Sequence, residues 1–351
     1  MNLIKRNMKF ILTCDPGLED VVKLELKEKI KNAKFLGKFK NLPGKVLIET
    51  KSLKKLFSFR SIHHVMKFIS QFQIESSEKI GLEEIASKLS EINLARFLKN
   101  KKSFRISTQR IGLHSFTSVE VQKVAGKVVQ EKYKLKVDLK NFDVNLRVDV
   151  FGKDVFVSLQ LTKDSLARRF KLSFVHPAAI KSTIAYGLIR IAEVKEGEKV
   201  LDPMCGGGTI LLELADLFRD KIKIFGSDIN QKFVEGAMKN AKANNLEKFI
   251  DFKVLDATRL EEAFPENSID KIITDLPYGI RMKTKNLKNL YQKFLLSSHK
   301  VLKDSGRIVA LTLRADSFRT FVFRTKKFKV VEERVIESGG LFPHVFVLEK
   351  L

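Results

Sequence analysis

The run Asp275-Leu276-Pro277-Tyr278-Gly279 sets an acid, a rigid turn and an aromatic ring side by side. That grouping suits one demanding task, the methylation of an exocyclic ring amine. The lone pair of such an amine is delocalised into its ring, so the nitrogen attacks poorly. The Asp275 carboxylate and the Leu276 backbone carbonyl, both acceptors, can hold its two N–H groups and turn the lone pair toward a methyl donor. Pro277 stiffens the turn, and Tyr278 offers a ring face on which an extruded base can stack. Alone, the same residues also read as an ordinary Asp-Xaa-Pro turn closing a strand. Neither a metal nor a covalent nucleophile is required, because a sulfonium carbon is already electrophilic.

A donor site is suggested by Asp202-Pro203-Met204-Cys205-Gly206-Gly207-Gly208-Thr209. The glycines let the backbone turn tightly and approach a ligand. The run lacks the GK[ST] ending of a phosphate-cradling loop, which argues against a nucleoside triphosphate, and it also lacks a true G-x-G-x-x-G. Asp202 would repel a pyrophosphate but tolerate a sulfonium or ammonium cation. Asp228 follows 26 positions on, where a doubly wound fold places the carboxylate that binds ribose hydroxyls. Asp256-Ala257 ends a third strand, where an adenine amino group could be met. Three acids on one sheet edge beside a Gly-rich turn point to S-adenosylmethionine. Helix caps and turns without a ligand would use the same residue types.

Holding these residues together requires alternating strands and helices after residue 176. Strands are predicted over 199–201, 222–226, 252–255, 271–274 and 308–313, with helices over 209–218, 231–244 and 290–302. Residues 328–336 and 344–348 pair around Gly339-Gly340. The pattern implies a mostly parallel doubly wound sheet with an antiparallel final hairpin. Before it, residues 1–75 read β-α-β-β-α-β, a ferredoxin-like order. Residues 76–165 read as a second small α/β unit, and 166–175 as a linker. The first strand, 9–13, is expected to lie edge-on. Its apolar run is too short for a signal peptide. Asp15-Pro16 is expected to cap and open a helix reaching Ile30.

The chain has 351 residues, with 66 Lys+Arg against 41 Asp+Glu, a net charge of +25. Residues 1–175 hold 36 basic and 18 acidic residues, whereas 176–351 hold 30 and 23. The excess marks the N-terminal half as an electrostatic grip for a polyanion, nucleic acid first. A generally Lys-rich, solvated surface is the plainer account. Two cysteines exclude a disulfide framework and a four-thiolate zinc site, and suit a reducing cytosol. The six histidines show no metal-ligand spacing, so no metal is expected. No run approaches the roughly 20 apolar residues needed to span a bilayer. A cytoplasmic monomer is expected.

The stretch His176-Pro177-Ala178-Ala179, the run at 202–209, Asp275 to Gly279, and Arg110 to Glu120 together resemble THUMP-containing RNA methyltransferases. Gly17-Leu18-Glu19 is similar to the opening of the domain that accompanies THUMP. Leu276, where many amino-methyltransferases carry a proline, is most similar to the tRNA (guanine-N2)-methyltransferases of the acceptor-stem, guanosine 6 branch. The resemblance implies a Rossmann-like class I methyltransferase sheet behind a ferredoxin-like plus THUMP α+β RNA-binding half. It implies catalysis by Asp275, Leu276, Pro277 and Tyr278. S-adenosylmethionine would be held by His176, Asp202, Met204, Cys205, Gly206, Gly207, Gly208, Thr209, Asp228, Ile229, Asp256, Ala257 and Asp275. The tRNA acceptor stem and 3′ end would be gripped by Arg105, Arg110, His114, Lys123, Arg168 and Arg169, and distance from the docked end would select the nucleotide. For His114, a buried hydrogen-bonding role is the equal alternative, and for Lys123 a solvated helix face. A guanosine 10, ribosomal RNA or DNA adenine methyltransferase and a non-catalytic RNA-binding protein are the competing readings.

Overall fold

The computed structural model describes residues 7–279 and 284–351. The chain opens with β1 (Met8–Thr13), α1 (Glu19–Lys29), β2 (Lys34–Lys38), β3 (Lys45–Thr50), α2 (Leu53–Leu56) and β4 (His64–Gln73), the expected β-α-β-β-α-β order. It continues through α3 (Ile80–Glu91), α4 (Ala95–Leu98), β5 (Ser103–Ser107), β6 (Arg110–Ile111), α5 (Ser118–Tyr133), β7 (Lys136–Val137), β8 (Val144–Phe151) and β9 (Asp154–Gln160). All nine strands join one sheet, in the order β2-β3-β1-β4-β9-β8-β5-β7, with β6 added beside β8. The antiparallel ladder from Met66↔Gln160 to Gln73↔Asp154 makes the two N-terminal units one continuous surface. β1 lies between β3 and β4, not at an edge. Its alternate residues Phe10 and Leu12 are wholly buried beneath α1.

Local sequence explains where the helices start. Thr117 accepts the Glu120 N–H while Glu120 accepts the Thr117 N–H, a reciprocal cap that opens α5. Its Val121, Ala125 and Val129 then pack with Ile85 and Leu89 of α3 over β5 and β8. Asp15 does not cap α1, which begins at Glu19. Its carboxylate reaches across to Lys181 Nζ (2.8 Å) and Thr183 Oγ1 in the C-terminal half, and to His63 Nε2 (3.1 Å). Glu19 instead ties the turn, accepting the Gly17 and Gly44 N–H groups.

The C-terminal half runs α6 (Ser182–Ile191), β10 (Lys199–Asp202), α7 (Thr209–Phe218), β11 (Lys223–Asp228), α8 (Gln231–Ala243), β12 (Ile250–Val254), β13 (Ile269–Asp275), α9 (Thr284–Val301), β14 (Leu302–Thr312), α10 (Ala315–Thr325), β15 (Phe328–Val335) and β16 (His344–Lys350). The strand order is β12-β11-β10-β13-β14-β16-β15. The first five run parallel, and β16 enters antiparallel between β14 and β15. This is the expected doubly wound sheet. Helices α6 and α10 were not anticipated.

The two halves share a core as well as ion pairs. Leu18 and Val21 pack among α6 and α7 residues. Gly187 of α6 admits Leu18 so closely that a Cβ there would lie 2.8 Å from its Cδ1. Buried Glu213 on α7 takes Arg60 Nη1 at 2.7 Å and Arg169 Nε at 2.8 Å. Arg334 on β15 reaches Asp20 at 2.8 Å.

Candidate active site

The parallel strands deliver their carboxyl ends to one edge, the place where doubly wound folds bind ligands. β10 ends in Asp202, β11 in Asp228 and β13 in Asp275, while Asp256 follows β12 by two residues. Asp202 is 2% exposed and accepts the Met204 N–H at 3.3 Å. Burial, with Asp275 and Asp228 nearby, pushes its pKa up to about 8. Asp228 accepts the Gly206 and Asn230 N–H groups at 3.1 and 2.9 Å, and burial raises its pKa. Asp256 accepts the Thr258 N–H. Ala257 is buried beside it, whereas Ile229 presents an exposed apolar wall next to Asp228.

The glycine run is a tight turn because its surroundings leave no space for side chains. Gly208 N–H bonds the Cys205 carbonyl, and Cys205 N–H bonds Ser227 of the next strand. Gly208 has φ +82°, and a Cβ there would meet Ala237 Cβ at 3.0 Å. A Cβ on Gly207 would meet His176 Cβ at the same distance, and the His176 ring also lies against Gly206. His176 packs edge-on to Phe233, with centroids 4.4 Å apart. Asn240 of α8, unremarked in the sequence, ties this corner together: it donates to the Gly207 and Phe174 carbonyls and accepts the Phe174 N–H. Met204 is half-buried and Cys205 buried. Thr209, the first residue of α7, faces the space between the two halves.

Asp275 is raised by burial to about 7. Tyr278 turns its hydroxyl to Asp275 Oδ1 at 2.6 Å, and burial raises that phenol. Leu276 is anchored through its N–H to the Leu311 carbonyl. Two further residues, absent from the sequence reading, fix the turn. Fully buried Tyr291 donates to the Pro277 carbonyl at 2.8 Å, and Arg314 Nε donates to the Tyr278 carbonyl at 2.9 Å. Tyr291 sits mid-helix with no motif around it, so its spacing carried no signal.

The candidate RNA contacts separate into groups. Lys123 is exposed on α5 and Arg168 exposed on the linker. Arg105 lies over the Phe142 ring. Arg110 Nη1 donates to His114 Nδ1 at 3.0 Å, and His114 Nε2 meets the Gly152 carbonyl at 2.7 Å, so His114 pins a loop. Arg169 is turned inward, ion-paired with Glu213 and donating to the Arg60 carbonyl. Among the described residues, no His, Cys, Asp and Glu group has metal-binding geometry, and no helix is long and apolar enough to cross a membrane.

Residues 169–343 match UPF0020, described as an RMKL-like methyltransferase domain, and residues 81–160 match the THUMP domain. Together with the sheet order, they define a THUMP-bearing methyltransferase of the Rossmann-like class. The chain is 32% identical to the tRNA (guanine(6)-N2)-methyltransferase of Methanocaldococcus jannaschii, over 97% of this chain and 100% of that one. It is 34% identical to the Thermus thermophilus enzyme of the same name, over 97% and 98%. The crystal structure of TrmN from Thermus thermophilus superposes with a TM-score of 0.83 at 31% identity, over 98% and 100% of the two chains. The chain belongs to the tRNA (guanine(6)-N2)-methyltransferase family.

Proposed function

We propose that this protein methylates the N2 amine of guanosine 6 in the acceptor stem of tRNA, with S-adenosylmethionine as donor. The observation that carries the reading is the placement of Asp275 and its turn on the same sheet edge as Asp202 and Asp228. The residues fit the donor: two carboxyls raised by burial to about 8 and about 7 form no ion pair among the described residues, and a sulfonium cation would supply a positive partner. Gly206, Gly207 and Gly208 would take its amino-acid end with Asp202. Asp228 would take the ribose, and Ile229, Asp256 and Ala257 the base. When bound, S-adenosylmethionine supplies an electrophilic methyl carbon.

Asp275 and the Leu276 carbonyl then accept the two N–H groups of the guanine amine and aim its lone pair. A carboxylate whose pKa stands near 7 is also a competent base for the proton that the nitrogen sheds on methylation. Tyr278 leaves Asp275 to stack on the extruded base. Tyr291 and Arg314 hold the peptide carbonyls on either side, so the acceptors stay aimed. The basic N-terminal sheet holds backbone phosphates, which fix position without reading sequence. The 3′ end docks on the THUMP region, and its distance from Asp275 selects the nucleotide. The enzyme is taken as a cytoplasmic monomer, its two buried thiols suiting a reducing compartment.

Incubation of unmodified tRNA with enzyme and donor, followed by nucleoside mass spectrometry and mapping, tests the reading. N2-methylguanosine at position 6 is expected. A methyl group at another atom or position refutes it. A tRNA trimmed of its 3′ terminal nucleotides is expected to be a poor substrate; equal rates remove the distance rule.

A further inference from the structure

A cleft of about 930 Å³ separates the basic N-terminal sheet from the methyltransferase half. Lys45, His63, His64 and Arg147 line it from the sheet side, Arg168 from the linker, and Lys181 from the approach to α6. Most of this charge is already matched. Arg147 is clamped by Asp149, with Nε to Oδ2 at 3.0 Å and Nη2 to Oδ1 at 2.7 Å. Lys181 and His63 share Asp15. Burial lowers His64 to about 4, so it is neutral at pH 7.

Lys45 and Arg168 remain. Lys45 is only 8% exposed, yet its ammonium rests on neutral groups: Gln109 Oε1 at 2.7 Å and the Phe151 ring at 5.7 Å. No carboxylate among the described residues forms an ion pair with it or with Arg168. Burial is the main force lowering the Lys45 pKa, and Asp149 offsets it only in part. A buried charge without a counter-ion is costly, so a site that keeps one is completed by an anion. The cleft far exceeds a monatomic ion and is bounded by the more basic half of the chain and by the start of α7.

We propose that this cleft seats a backbone phosphate of the RNA substrate, held between Lys45 of the sheet and Arg168 of the linker. The proposal rests on the tRNA reading above. It makes the cleft a point where the RNA strand is fixed to the N-terminal sheet and to the linker that leads into the methyltransferase half.

The test uses the full chain with Lys45→Met, Arg168→Gln and the double substitution, with Lys45→Arg as the charge-preserving control. Each neutral variant is expected to weaken tRNA binding about five- to tenfold and to reduce the slope of log affinity against log salt by about one. Lys45→Arg is expected to retain both. S-adenosylhomocysteine affinity by calorimetry is expected to stay at its wild-type value, and the melting temperature is expected not to fall. A double variant with wild-type affinity and slope overturns the site. Inorganic phosphate that displaces tRNA from wild type but not from the double variant supports it; phosphate that binds through Lys45 while tRNA stays at full affinity overturns it. Failure of the tRNA reading is distinguishable, because the wild-type chain itself would then not bind tRNA.

Discussion

Asp15 and Asp202 are 1% and 2% exposed, yet their carboxyls move in opposite directions. Burial acts to raise both. At Asp15 it is outweighed by His63, Lys181 and Thr183, and the pKa falls below its usual 3.8. At Asp202 burial prevails, the neighbouring acids add to it, and the pKa rises to about 8. Asp15 belongs to the joint between the halves, where each acid has its cation. Asp202 belongs to an edge with several acids, and among the described residues it forms no ion pair. The joint is completed by folding alone; on the proposed function, the edge is completed by the methyl donor.

The sharpest way to break this comparison is Asp275→Asn. It keeps the shape but weakens the acceptor, and kcat is expected to fall at least about 1000-fold while tRNA affinity stays within about twofold. Wild-type turnover would remove its orienting role. Next is Glu213→Ala at the joint. It leaves half-buried Arg169 without its acid and half-buried Arg60 with Asp216 alone, and urea unfolding is expected to show a loss of about 3 kcal/mol. A loss below about 1 kcal/mol would mean that the joint does not depend on this acid. By contrast, Asp202→Asn at the edge is expected to stabilise the ligand-free protein while abolishing S-adenosylhomocysteine binding in calorimetry.

The pH dependence follows from the same contrast. A carboxyl whose folded pKa lies above its unfolded value binds its proton more tightly when folded. Stability therefore falls as pH rises from about 4 to about 8, the window set by Asp202. The ligand-free melting temperature is expected to decline across that range, with a shallower decline in Asp202→Asn. Asp15 acts in the opposite sense: its contribution is present above pH 3.8 and is lost as pH falls below it. On the proposed role of Asp275, its ionised form is the stronger N–H acceptor and the competent base, so kcat/KM is expected to rise through about pH 7. A flat profile would dismiss that role. The smallest effect is expected from Tyr291→Phe, which removes one donor to the Pro277 carbonyl. A roughly tenfold fall in kcat with unchanged KM would mark it as a positioning residue, and equal changes in both would not.

The placement of the candidate site was legible because strand-end acids and a glycine turn are local signals, and alternation then brings them to one edge. Asp202, Asp228 and Asp275 needed no long-range information. Tyr291, Arg314 and Asn240 did, because each acts on a backbone carbonyl distant in sequence. The same limit explains the misplaced cap. Asp15-Pro16 carries a genuine start signal, but Lys181 and Thr183, more than 160 residues away, draw the carboxylate across the joint. Arg168 and Arg169 are adjacent and alike, yet only Arg168 faces outward; nothing local tells which of two neighbouring arginines will meet Glu213. α6 opens at Lys181 without a side-chain cap and carries Gly187 in its interior, so no start signal marks it, although residues 182–189 are all buried. β1 was expected at an edge because its partners, β3 and β4, lie more than 30 residues downstream.

Glu213 shares the ten-residue helix α7 with Thr209, which directly follows the glycine turn. Occupancy at one end of that helix and attachment at the other therefore act on a single rigid body. By reciprocity, any free energy by which nucleoside binding strains the helix must return, equal in size, as a change in nucleoside affinity when the opposite end is pulled.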